Sequence, residues 1–451
     1  MSTSPNRISA IDTRSTDLHT VDLLLPDLNG IPRGKRIPAT ILDKVLREGV
    51  NLPASIFAID ITGNTVEETG LVWECGDADH PCYAVPDSLH TAPWRGASSA
   101  DLLLTMATAS GPGFFGEPRA LAQQMVDELA TFGLVPHVAF ELEFYLLPRR
   151  DGMPAAPDTT CAPGDIQVYD LETIDAHSRF FALLEEACAA YELPLEAIVS
   201  ENAHGQFEVN LRYQKNALRA ADDAWSLKRV VKGVAASCGY TASFMAKPYA
   251  KDAGSGMHVH VSLVDGKGEN AFSQYPEHLQ HALGGLLQAL PESVALFAPH
   301  ANSYRRFQQG SYAPTLACWG ENNRTAALRI PRSDPTARRI EHRFAGADAN
   351  PYLVLAAVLA GIVLGLRARL PAPPAISGNA YAESNHLTNL CSTALPRDWQ
   401  TALELFASAP HLATLFGEPF LHLYTTVKRH ELQTLQNSYH PLEYLWYFER
   451  S

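Results

Sequence analysis

The sequence predicts an α+β fold in which helices surround an antiparallel sheet. Two patterns lead to this prediction. Several short segments alternate strictly between polar and apolar residues, which is typical of strands with one buried face. The segments between them carry apolar residues at helical spacing. The chain has 451 residues, of which 46% are hydrophobic and 19% are charged, so it can form a large core and two or three domains, or one small and one large domain.

Charge and cysteine content exclude several classes of protein. The formal net charge of −14 argues against a nucleic-acid partner, because such binders present a basic surface. The seven cysteines include no CxxC pair, so neither a disulfide framework nor a structural zinc site is expected. Residues 1–20 lack the apolar stretch of a signal peptide. The apolar run 353–366 is shorter than the roughly 20 residues of a membrane span. We therefore expect a buried core helix there, and a cytoplasmic protein with no membrane partner.

The predicted elements fall into three regions. Residues 1–20 are expected to be a flexible arm. Residues 21–110 begin with a strand at 21–25 and a turn at 27–32, are rich in Gly, Pro and Asp, and are expected to form a small α+β domain. Residues 111–451 are expected to form the larger domain.

Helices are predicted where apolar residues recur every three or four positions. At the start of the third region Pro118 suits a first helical turn, and Leu121, Met125 and Leu129 follow at helical spacing. The predicted helices cover residues 38–48, 117–132, 175–191, 220–238, 276–297, 351–370, 398–407 and 419–435.

Four alternating segments place chemically active side chains on one face of a strand. The segments are residues 140–144, 206–210, 257–261 and 339–344. Alternate side chains of a strand share a face, so each segment has one polar and one apolar face. The polar faces carry Glu141 and Glu143, then Glu208, then His258 and His260, and finally Glu341 between Arg339 and Arg343.

These polar faces differ from the ordinary solvent-exposed face of a sheet. Any one of them alone would be typical of a half-exposed strand, but several carboxylates together repel one another unless cations lie among them. Carboxylates with one or two histidines suit Mg²⁺ or Mn²⁺, and arginines suit a phosphate or a carboxylate. Metal ions and arginines without a covalent nucleophile are typical of phosphoryl transfer.

A single GxGxxG match at residues 111–116 is an alternative signal. It lies between an apolar segment and a helix, as in a dinucleotide-binding fold. The alternating strands elsewhere do not fit the buried parallel sheet of such a fold, so a dinucleotide is not expected.

The alternating strands belong to longer motifs that resemble those of the glutamine synthetase superfamily. The resemblance extends from about residue 21 to the C-terminus. It implies a β-grasp N-terminal domain followed by the family's catalytic domain. It also implies a homo-oligomer, usually a dodecamer of two hexameric rings, or a single hexamer, with active sites between neighbouring subunits. The motifs are residues 252–260, 302–306, 323–331 and 338–344.

The resemblance also implies roles for individual residues, with ATP as co-substrate and two or more Mg²⁺ or Mn²⁺ ions in each active site. The expected ligands of the ion nearer the glutamate are Glu143, Glu201 and Glu208, and those of the ion nearer the ATP phosphates are Glu141, His258 and Glu341. The expected ATP-binding residues are Glu196, Lys247, His260, Ser262, Arg324 and Arg329. Gly254, Arg306 and Arg343 are expected to hold glutamate and the transferred phosphoryl group, and Asp60 is the candidate acid on the amine side, which makes Asp60, Arg306 and Arg343 the candidate catalytic residues.

Three departures from the family pattern concern the amine. Tyr312 stands where glutamine synthetases carry a Glu that closes the ammonium pocket, Ala253 replaces an Asn, and residues 389–393 offer no clear counterpart of the adenylylated Tyr of bacterial enzymes. An aromatic side chain suits an organic amine through a cation–π contact, so Asp60 and Tyr312 are expected to line the amine pocket. Residues 27–36 and 60–65 look like the γ-glutamylpolyamine synthetase branch of the family.

These features predict an ATP-dependent ligase that joins the γ-carboxylate of L-glutamate to an organic amine through γ-glutamyl phosphate, in amine catabolism. A polyamine such as putrescine is the expected amine, and a monoamine is an alternative. If Tyr312 only packs at a subunit interface, the protein would be an ammonia-dependent glutamine synthetase. A non-catalytic structural or regulatory paralogue is a further alternative, but it would not need six metal-ligand positions that all carry Glu or His.

Overall fold

Two β-sheets and the helices packed on them form the chain in the computed structural model, which describes residues 18–108, 111–150, 153–154, 168–382 and 395–438. The predicted α+β class, with an N-terminal sheet domain, is confirmed. The first sheet ends at Pro112, close to the predicted domain boundary, and the limits of the domains stay a prediction. Residues 1–17 of the predicted arm and the segment 389–393 lie outside the described residues.

The N-terminal sheet contains β1 (Thr20–Pro26), β2 (Pro32–Pro38), β3 (Val50–Pro53), β4 (Asp79–Thr91), β5 (Ser99–Thr108) and β6 (Gly111–Pro112). Their order is β2-β1-β5-β4-β3, with β6 beside β5. The strands β1 and β5 run parallel, and the other pairs are antiparallel. Helix α1 (Leu42–Glu48) begins later than predicted, because β2 continues to Pro38 and a 3-10 turn follows it. The GxGxxG segment begins with β6, which pairs antiparallel with β5.

The second sheet contains β7 (Val135–Arg150), β8 (Met153–Pro154), β9 (Leu195–Ser200), β10 (Gln206–Leu211), β11 (Tyr240–Ser243), β12 (Met257–Val264), β13 (Trp319–Glu321), β14 (Leu328–Ile330) and β15 (Ile340–His342). Their order is β13-β14-β15-β12-β7-β10-β9, and β8 and β11 also pair with β7. Three of the alternating segments lie within β12, β7 and β10, and the fourth contains β15; these four strands are neighbours in the order β15-β12-β7-β10. Their prediction as antiparallel strands is confirmed.

The remaining helices are α2 (Pro118–Ala130), α3 (Leu171–Asp175), α4 (Ser178–Ala190), α5 (Ala217–Ser237), α6 (Ala271–Gln274), α7 (Pro276–Phe297), α8 (Pro351–Ala368), α9 (Trp399–Ala407), α10 (Pro410–Phe416) and α11 (Glu418–Gln436). Helix α5 packs on β7, and α8 packs on α7, α2 and α5. Helix α8 is long and apolar enough to cross a membrane, but 83% of it is buried inside the protein. It is therefore the core helix that the sequence predicts.

Some short elements differ from the sequence prediction. The predicted helix at 175–191 is α4, which begins three residues later than predicted. A separate short helix, α3, precedes it, and Asp170 caps α3 by accepting hydrogen bonds from the backbone of Glu172 and Thr173. The sequence did not reveal α6, α10, β9, β11, β13 or β14. Elements of three to seven residues are too short to show a period.

Candidate active site

The register of the second sheet brings five of the six predicted metal ligands onto one face, and the sixth, Glu201, directly follows β9. Residues directly opposite each other in neighbouring strands share a face. The carboxylates and imidazoles predicted from four separate segments therefore meet across four neighbouring strands. The opposite pairs are Glu143 with Glu208, Glu141 with His258, and His260 with Glu341.

Glu141 lies between two imidazoles. Its Oε2 accepts a hydrogen bond from Nδ1 of His258 at 3.2 Å, and its Oε1 accepts one from Nε2 of His260 at 2.8 Å. Arg339 donates from Nε to Nδ1 of His260 at 3.2 Å, so His260 carries its proton on Nε2. Burial alone would raise the pKa of the Glu141 carboxyl, but the two imidazoles hold it well below its usual value. Glu141 is therefore an anion at neutral pH.

Glu341 is held by two arginines. Arg329 donates from Nη1 to Oε2 of Glu341 at 2.6 Å, and Arg343 donates from Nη1 to Oε1. Burial raises the pKa of Glu341, but Arg343 and the nearby imidazoles outweigh it and lower the pKa to about 2. The Nε atoms of both arginines are buried without a partner among the residues that the structure describes. These two donors are therefore unsatisfied within the described part of the chain.

For the other carboxylates of the cluster, burial and repulsion between carboxylates outweigh the nearby positive charges. Burial and, to a smaller extent, repulsion from the negative charge of Glu201 raise the pKa of Glu143 to about 8. Burial and the neighbouring carboxylates raise the pKa of Glu208 to about 9, and burial raises that of Glu201. Buried acids packed this closely are unfavourable as anions unless cations lie among them.

Two sets of ligand atoms have the spacing that a metal ion needs. One set is Glu141, His260 and Glu341, and the other is Glu141, Glu208 and His258. Within each set the ligand atoms lie within 4.8 Å of one another. Carboxylates with one imidazole fit Mg²⁺ or Mn²⁺. The grouping differs from the predicted one, since His260 lies with Glu341 and His258 with Glu208, and the assignment of each ligand to one of two ions stays a prediction.

A polar pocket of about 300 Å³ lies beside the metal-binding face. Arg306 is 4% exposed and donates from Nη1 to the carbonyl of Phe344 at 3.0 Å. A Cβ atom at Gly254 would lie 2.5 Å from Cγ of Arg306, so only glycine lets the backbone approach this side chain. The predicted residues that the pocket brings together are Glu143, Glu201, Lys247, Gly254, His258, Arg306, Tyr312 and Arg343.

Tyr312 lines this pocket from a strained loop. Its φ of 58° lies in the left-handed region that favours glycine, and it follows Gly310 with a φ of 77°. The residue is 54% exposed. A large residue held in this conformation is a candidate functional position.

Four of the predicted ATP-binding residues lie on the metal-binding side of the sheet, namely His260, Ser262, Arg324 and Arg329. Ser262 shares the face of His260, because the side chains of β12 alternate. Arg324 donates to the hydroxyl of Tyr169 at 3.0 Å. Together with Arg329, Arg324 lines an open cavity of about 880 Å³.

The two other predicted ATP-binding residues lie elsewhere. Glu196 is exposed where a register shift interrupts the pairing of β9 with β10. Lys247 lines the polar pocket next to Gly254 and donates to the carbonyl of Asp252. The roles of Glu196 and Lys247 as nucleotide contacts stay predictions.

Asp60 lies apart from all of these residues. Its Oδ1 accepts hydrogen bonds from the backbone of Thr62 at 2.9 Å, from the hydroxyl of Thr62 at 2.7 Å and from the backbone of Asn64 at 2.9 Å. Burial raises the pKa of Asp60, but these hydrogen bonds outweigh it and keep the pKa below the usual value. Asp60 lines a different cavity from Tyr312, so within the described part of one chain the two predicted amine-side residues do not meet.

Gln206 and Gly256 support the site, and the sequence did not reveal their roles. The backbone N–H of Gly256 donates to Oε2 of Glu143 at 2.8 Å. Gln206 is 1% exposed and donates from Nε2 to the carbonyl of Gly254 at 3.1 Å. The available signal was that Gln206 shares a strand face with Glu208.

A family model covers most of the larger domain. Residues 115–447 match the model described as the catalytic domain of glutamine synthetase. The chain belongs to the glutamine synthetase family. The resemblance predicted from the motifs is thereby confirmed.

Similar members of the glutamine synthetase family match along almost their whole length. The chain is 42% identical over 436 residues to gamma-glutamylputrescine synthetase PuuA of Escherichia coli (strain K12), covering 94% of this chain and 91% of the relative. It is 33% identical to gamma-glutamylethanolamide synthetase GlnA4 of Streptomyces coelicolor, covering 96% and 93%. Among solved structures, GmaS without ligand superposes with a TM-score of 0.83 at 26% identity, covering 97% of this chain and 98% of GmaS.

Proposed function

We propose that this chain is an ATP-dependent ligase that joins the γ-carboxylate of L-glutamate to an organic amine through γ-glutamyl phosphate. The observation that carries the proposal is the carboxylate and imidazole cluster that lies directly beside an arginine-lined pocket. This combination suits the transfer of a phosphoryl group to a carboxylate. Two similar proteins are named gamma-glutamylputrescine synthetase and gamma-glutamylethanolamide synthetase, and these names support an organic amine as the acceptor.

The residues of the cluster fit two divalent metal ions. When bound, Mg²⁺ or Mn²⁺ would neutralise charge on the phosphates of ATP. The residues that would hold them are Glu141, Glu143, Glu201, Glu208, His258 and Glu341.

The arginines supply the fixed positive charge for the first step. An oxygen of the γ-carboxylate attacks the γ-phosphorus of ATP, the bond to ADP breaks, and γ-glutamyl phosphate forms. Glu341 orients Arg329 and Arg343 through hydrogen bonds, and the buried Arg306 lies in the same pocket as Arg343. Donors fixed before the reaction stabilise the charge that develops on the transferred group.

The second step needs a neutral amine. The nitrogen attacks the acyl carbon, phosphate leaves, and the nitrogen loses a proton. A primary alkylamine has a pKa near that of Lys, about 10.4, so it arrives as an ammonium ion. Asp60 is an anion that can bind this ion and accept the proton. Because Asp60 and Tyr312 line different cavities of one chain, we place Asp60 of a neighbouring subunit beside Tyr312.

The proposal therefore includes a homo-oligomer with shared active sites, either a dodecamer of two hexameric rings or a single hexamer. It also includes a cytoplasmic location, where ATP and glutamate are available, and a role in amine catabolism. Putrescine or another polyamine is the proposed acceptor. Its ammonium group would contact the face of Tyr312, which is 54% exposed in the pocket.

The experiment is a phosphate-release assay with Mg-ATP, L-glutamate and a panel of acceptors. The panel holds ammonia, hydroxylamine, ethanolamine, putrescine, spermidine, isopropylamine and phenethylamine, and a reaction without acceptor is the control. We expect one organic amine to be used with a much higher kcat/KM than ammonia. A preference for ammonia would instead identify a glutamine synthetase, and no phosphate release with any acceptor would favour a non-catalytic paralogue.

A further inference from the structure

Glu431, on helix α11, joins two loops beside the N-terminal sheet to the rest of the chain. Its Oε1 accepts a hydrogen bond from the backbone N–H of Ile61 at 2.8 Å and another from Nδ2 of Asn29 at 3.2 Å. Asn29 lies in the loop between β1 and β2, and Ile61 directly follows Asp60. One carboxylate from near the C-terminus therefore holds both loops.

The carboxylate of Glu431 is itself held in place. Nζ of Lys428, one helical turn earlier, donates to Oε2 of Glu431 at 2.9 Å and also donates to Oδ1 of Asn29. Both Lys428 and Glu431 are buried. A buried ion pair stabilises a fold little more than apolar residues of similar size would, because both charges lose their water. This pair does give the two carboxylate oxygens a fixed direction.

The loop between β1 and β2 gives Asn29 a rigid base. Oδ1 of Asp27 accepts a hydrogen bond from the backbone N–H of Asn29 at 2.9 Å. The side chain of Asn350 donates to the carbonyl of Asp27 at 3.0 Å, and Nε1 of Trp225 donates to the carbonyl of Gly30 at 2.8 Å. These contacts attach the loop to α5 and to the start of α8, so that Asn29 meets Glu431 from a fixed position.

The loop that carries Asp60 is folded on itself. The backbone N–H of Asp60 donates to the carbonyl of Asn64 at 2.8 Å, and Oδ1 of Asp60 accepts the three hydrogen bonds from Thr62 and Asn64 given above. The other carboxylate oxygen, Oδ2, takes no part in these three bonds. Because the loop moves as one unit, the hydrogen bond from Ile61 to Glu431 sets the direction of Oδ2 relative to the core helix α11.

We propose that Glu431 is a positioning residue for the second step of the ligation, and that it holds the Asp60 loop so that Oδ2 faces the amine. This inference rests on the proposed function, in which Asp60 of a neighbouring subunit binds the ammonium group and accepts its proton. Glu431 acts through the backbone of Ile61 and does not touch the substrate. A misplacement of about 1 Å can slow a reaction about 10²-fold. Loss of this contact should therefore slow the attack of the amine and leave the formation of γ-glutamyl phosphate unchanged.

The test measures the two steps separately in the full-length, assembled protein. ATP labelled with oxygen-18 in the bridge between its β- and γ-phosphates is incubated with Mg²⁺ and L-glutamate in the absence of an amine. Exchange of the label into the non-bridging positions reports reversible phosphoryl transfer, which is the first step alone. Phosphate release with putrescine reports the complete reaction.

Two double variants separate the hydrogen bond from the ion pair. Lys428→Met combined with Glu431→Gln, and Lys428→Met combined with Glu431→Met, both remove the ion pair, but only the first keeps an oxygen for the N–H of Ile61. We expect the variant with Glu431→Met to have a kcat/KM for putrescine about tenfold or more below that of the variant with Glu431→Gln. Isotope exchange should be equal in the two. Equal use of putrescine by both, or a parallel loss of isotope exchange with Glu431→Met, would overturn the inference.

A single variant tests the same contact with the ion pair in place. Asn29→Ala, at a half-buried side chain, removes one of the donors that hold Glu431. We expect a loss of about threefold in kcat/KM for putrescine with unchanged isotope exchange, and wild-type use of putrescine would contradict the role of this cluster. The control is Glu292→Gln, at a carboxylate that pairs with His411 at 2.7 Å and joins α7 to α10, which should behave as the wild type in both assays.

Asp60→Asn, measured in the same two assays, separates a failure of this inference from a failure of the proposed function. Full use of putrescine by Asp60→Asn would remove Asp60 from the mechanism and this inference with it. A defective Asp60→Asn beside two double variants that use putrescine equally would overturn the positioning role of Glu431 alone.

Discussion

At the scale of single residues, the carboxylate of Glu341 has two sets of neighbours, the other candidate metal ligands and two arginines. Its carboxylate lies among the candidate metal ligands and also accepts hydrogen bonds from Arg329 and Arg343. A neutral amide keeps the shape and one acceptor but removes the charge that a metal ion needs. We expect Glu341→Gln to lower the rate of phosphate release by roughly 10²–10³-fold, with the oligomer intact by size-exclusion chromatography. Glu321→Gln, at an exposed carboxylate with a side chain that is 71% exposed, is the control, and turnover close to that of the wild type in Glu341→Gln would disprove the metal assignment.

Tyr312 gives a prediction about the acceptor. A carboxylate at this position would bind a small ammonium ion, whereas the tyrosine offers an aromatic face to a larger cation. We therefore expect Tyr312→Glu to shift the ratio of kcat/KM for putrescine and for ammonia toward ammonia by about tenfold or more. Tyr312→Phe keeps the aromatic face and should keep the ratio. If Tyr312→Glu leaves the ratio unchanged, Tyr312 does not shape the acceptor pocket.

The alternating faces predicted from the sequence correctly placed Glu141, Glu208, His258 and Glu341 together, because strand alternation fixes the face of a side chain whatever the tertiary structure. Contacts made by loops were not predictable in this way. The hydrogen bond between Arg324 and Tyr169 joins residues 155 positions apart, and no periodic pattern connects them.

At the scale of elements, α7 and α8 approach each other so closely that a side chain would not fit. A Cβ atom at Gly285 would overlap backbone atoms of Gly361 and Gly365 on α8. We expect Gly285→Ala to lower the free energy of unfolding by about 3 kcal/mol, because the helices must move apart. Denaturant unfolding measures this. Gly266→Ala is the control, since a Cβ there meets nothing within 4 Å, and equal stability of the two variants would contradict the close approach.

The start of α2 contains a buried acid that couples folding to pH. Oε2 of Glu117 accepts hydrogen bonds from the backbone of Met106 at 3.0 Å and from the hydroxyl of Thr105 at 3.1 Å, which ties α2 to β5. Burial raises the pKa of Glu117 to about 7. The folded chain therefore retains this proton over a pH range in which the unfolded chain, with a Glu pKa of about 4.3, has lost it. The contribution of this proton to the free energy of unfolding is fully present below the pKa of the unfolded state, and it is lost as the pH rises through the folded-state pKa of about 7.

Glu117→Gln tests this coupling, because the amide is neutral at every pH. Relative to the wild type, we expect the free energy of unfolding of the variant to rise between about pH 5 and pH 8, by up to about 3 kcal/mol. Urea unfolding at three pH values measures the trend. Glu48→Gln, on exposed α1 surface, should show a constant difference from the wild type, and a constant difference for Glu117→Gln would rule out the coupling.

The length of an element decided how much of the fold was predictable. Long amphipathic helices such as α2 and α7 and the alternating strands show several periods, and their prediction is confirmed. The end of β2 at Pro38 was mistaken for the start of a helix, since a proline is acceptable both at a strand end and in a first helical turn. Only the pairing of β2 with β1 decides between these two states.

At the scale of the whole molecule, the candidate site is divided between two places in the chain. The candidate metal ligands and arginines lie on the second sheet, whereas Asp60 lies at another cavity beside the N-terminal sheet. An isolated chain would then lack the acid that accepts the proton of the amine. The closed ring of identical subunits that we propose would supply it, because each interface would join the Asp60 side of one chain to the Tyr312 side of the next.

Mixed oligomers test this arrangement directly. Asp60→Asn and Glu341→Gln are each expected to be almost inactive when assembled alone. In a random equal mixture, a site is intact only where a chain with Glu341 meets a neighbour with Asp60, which is about one site in four for ring-shaped assembly. We therefore expect co-expression of the two variants to restore about a quarter of wild-type phosphate release. A mixture of wild type and Glu341→Gln, with about half of the wild-type activity, calibrates the assembly. If Asp60 served the site of its own chain, every chain in the mixture would carry one defect and no activity would return, and full activity of Asp60→Asn alone would remove Asp60 from the mechanism.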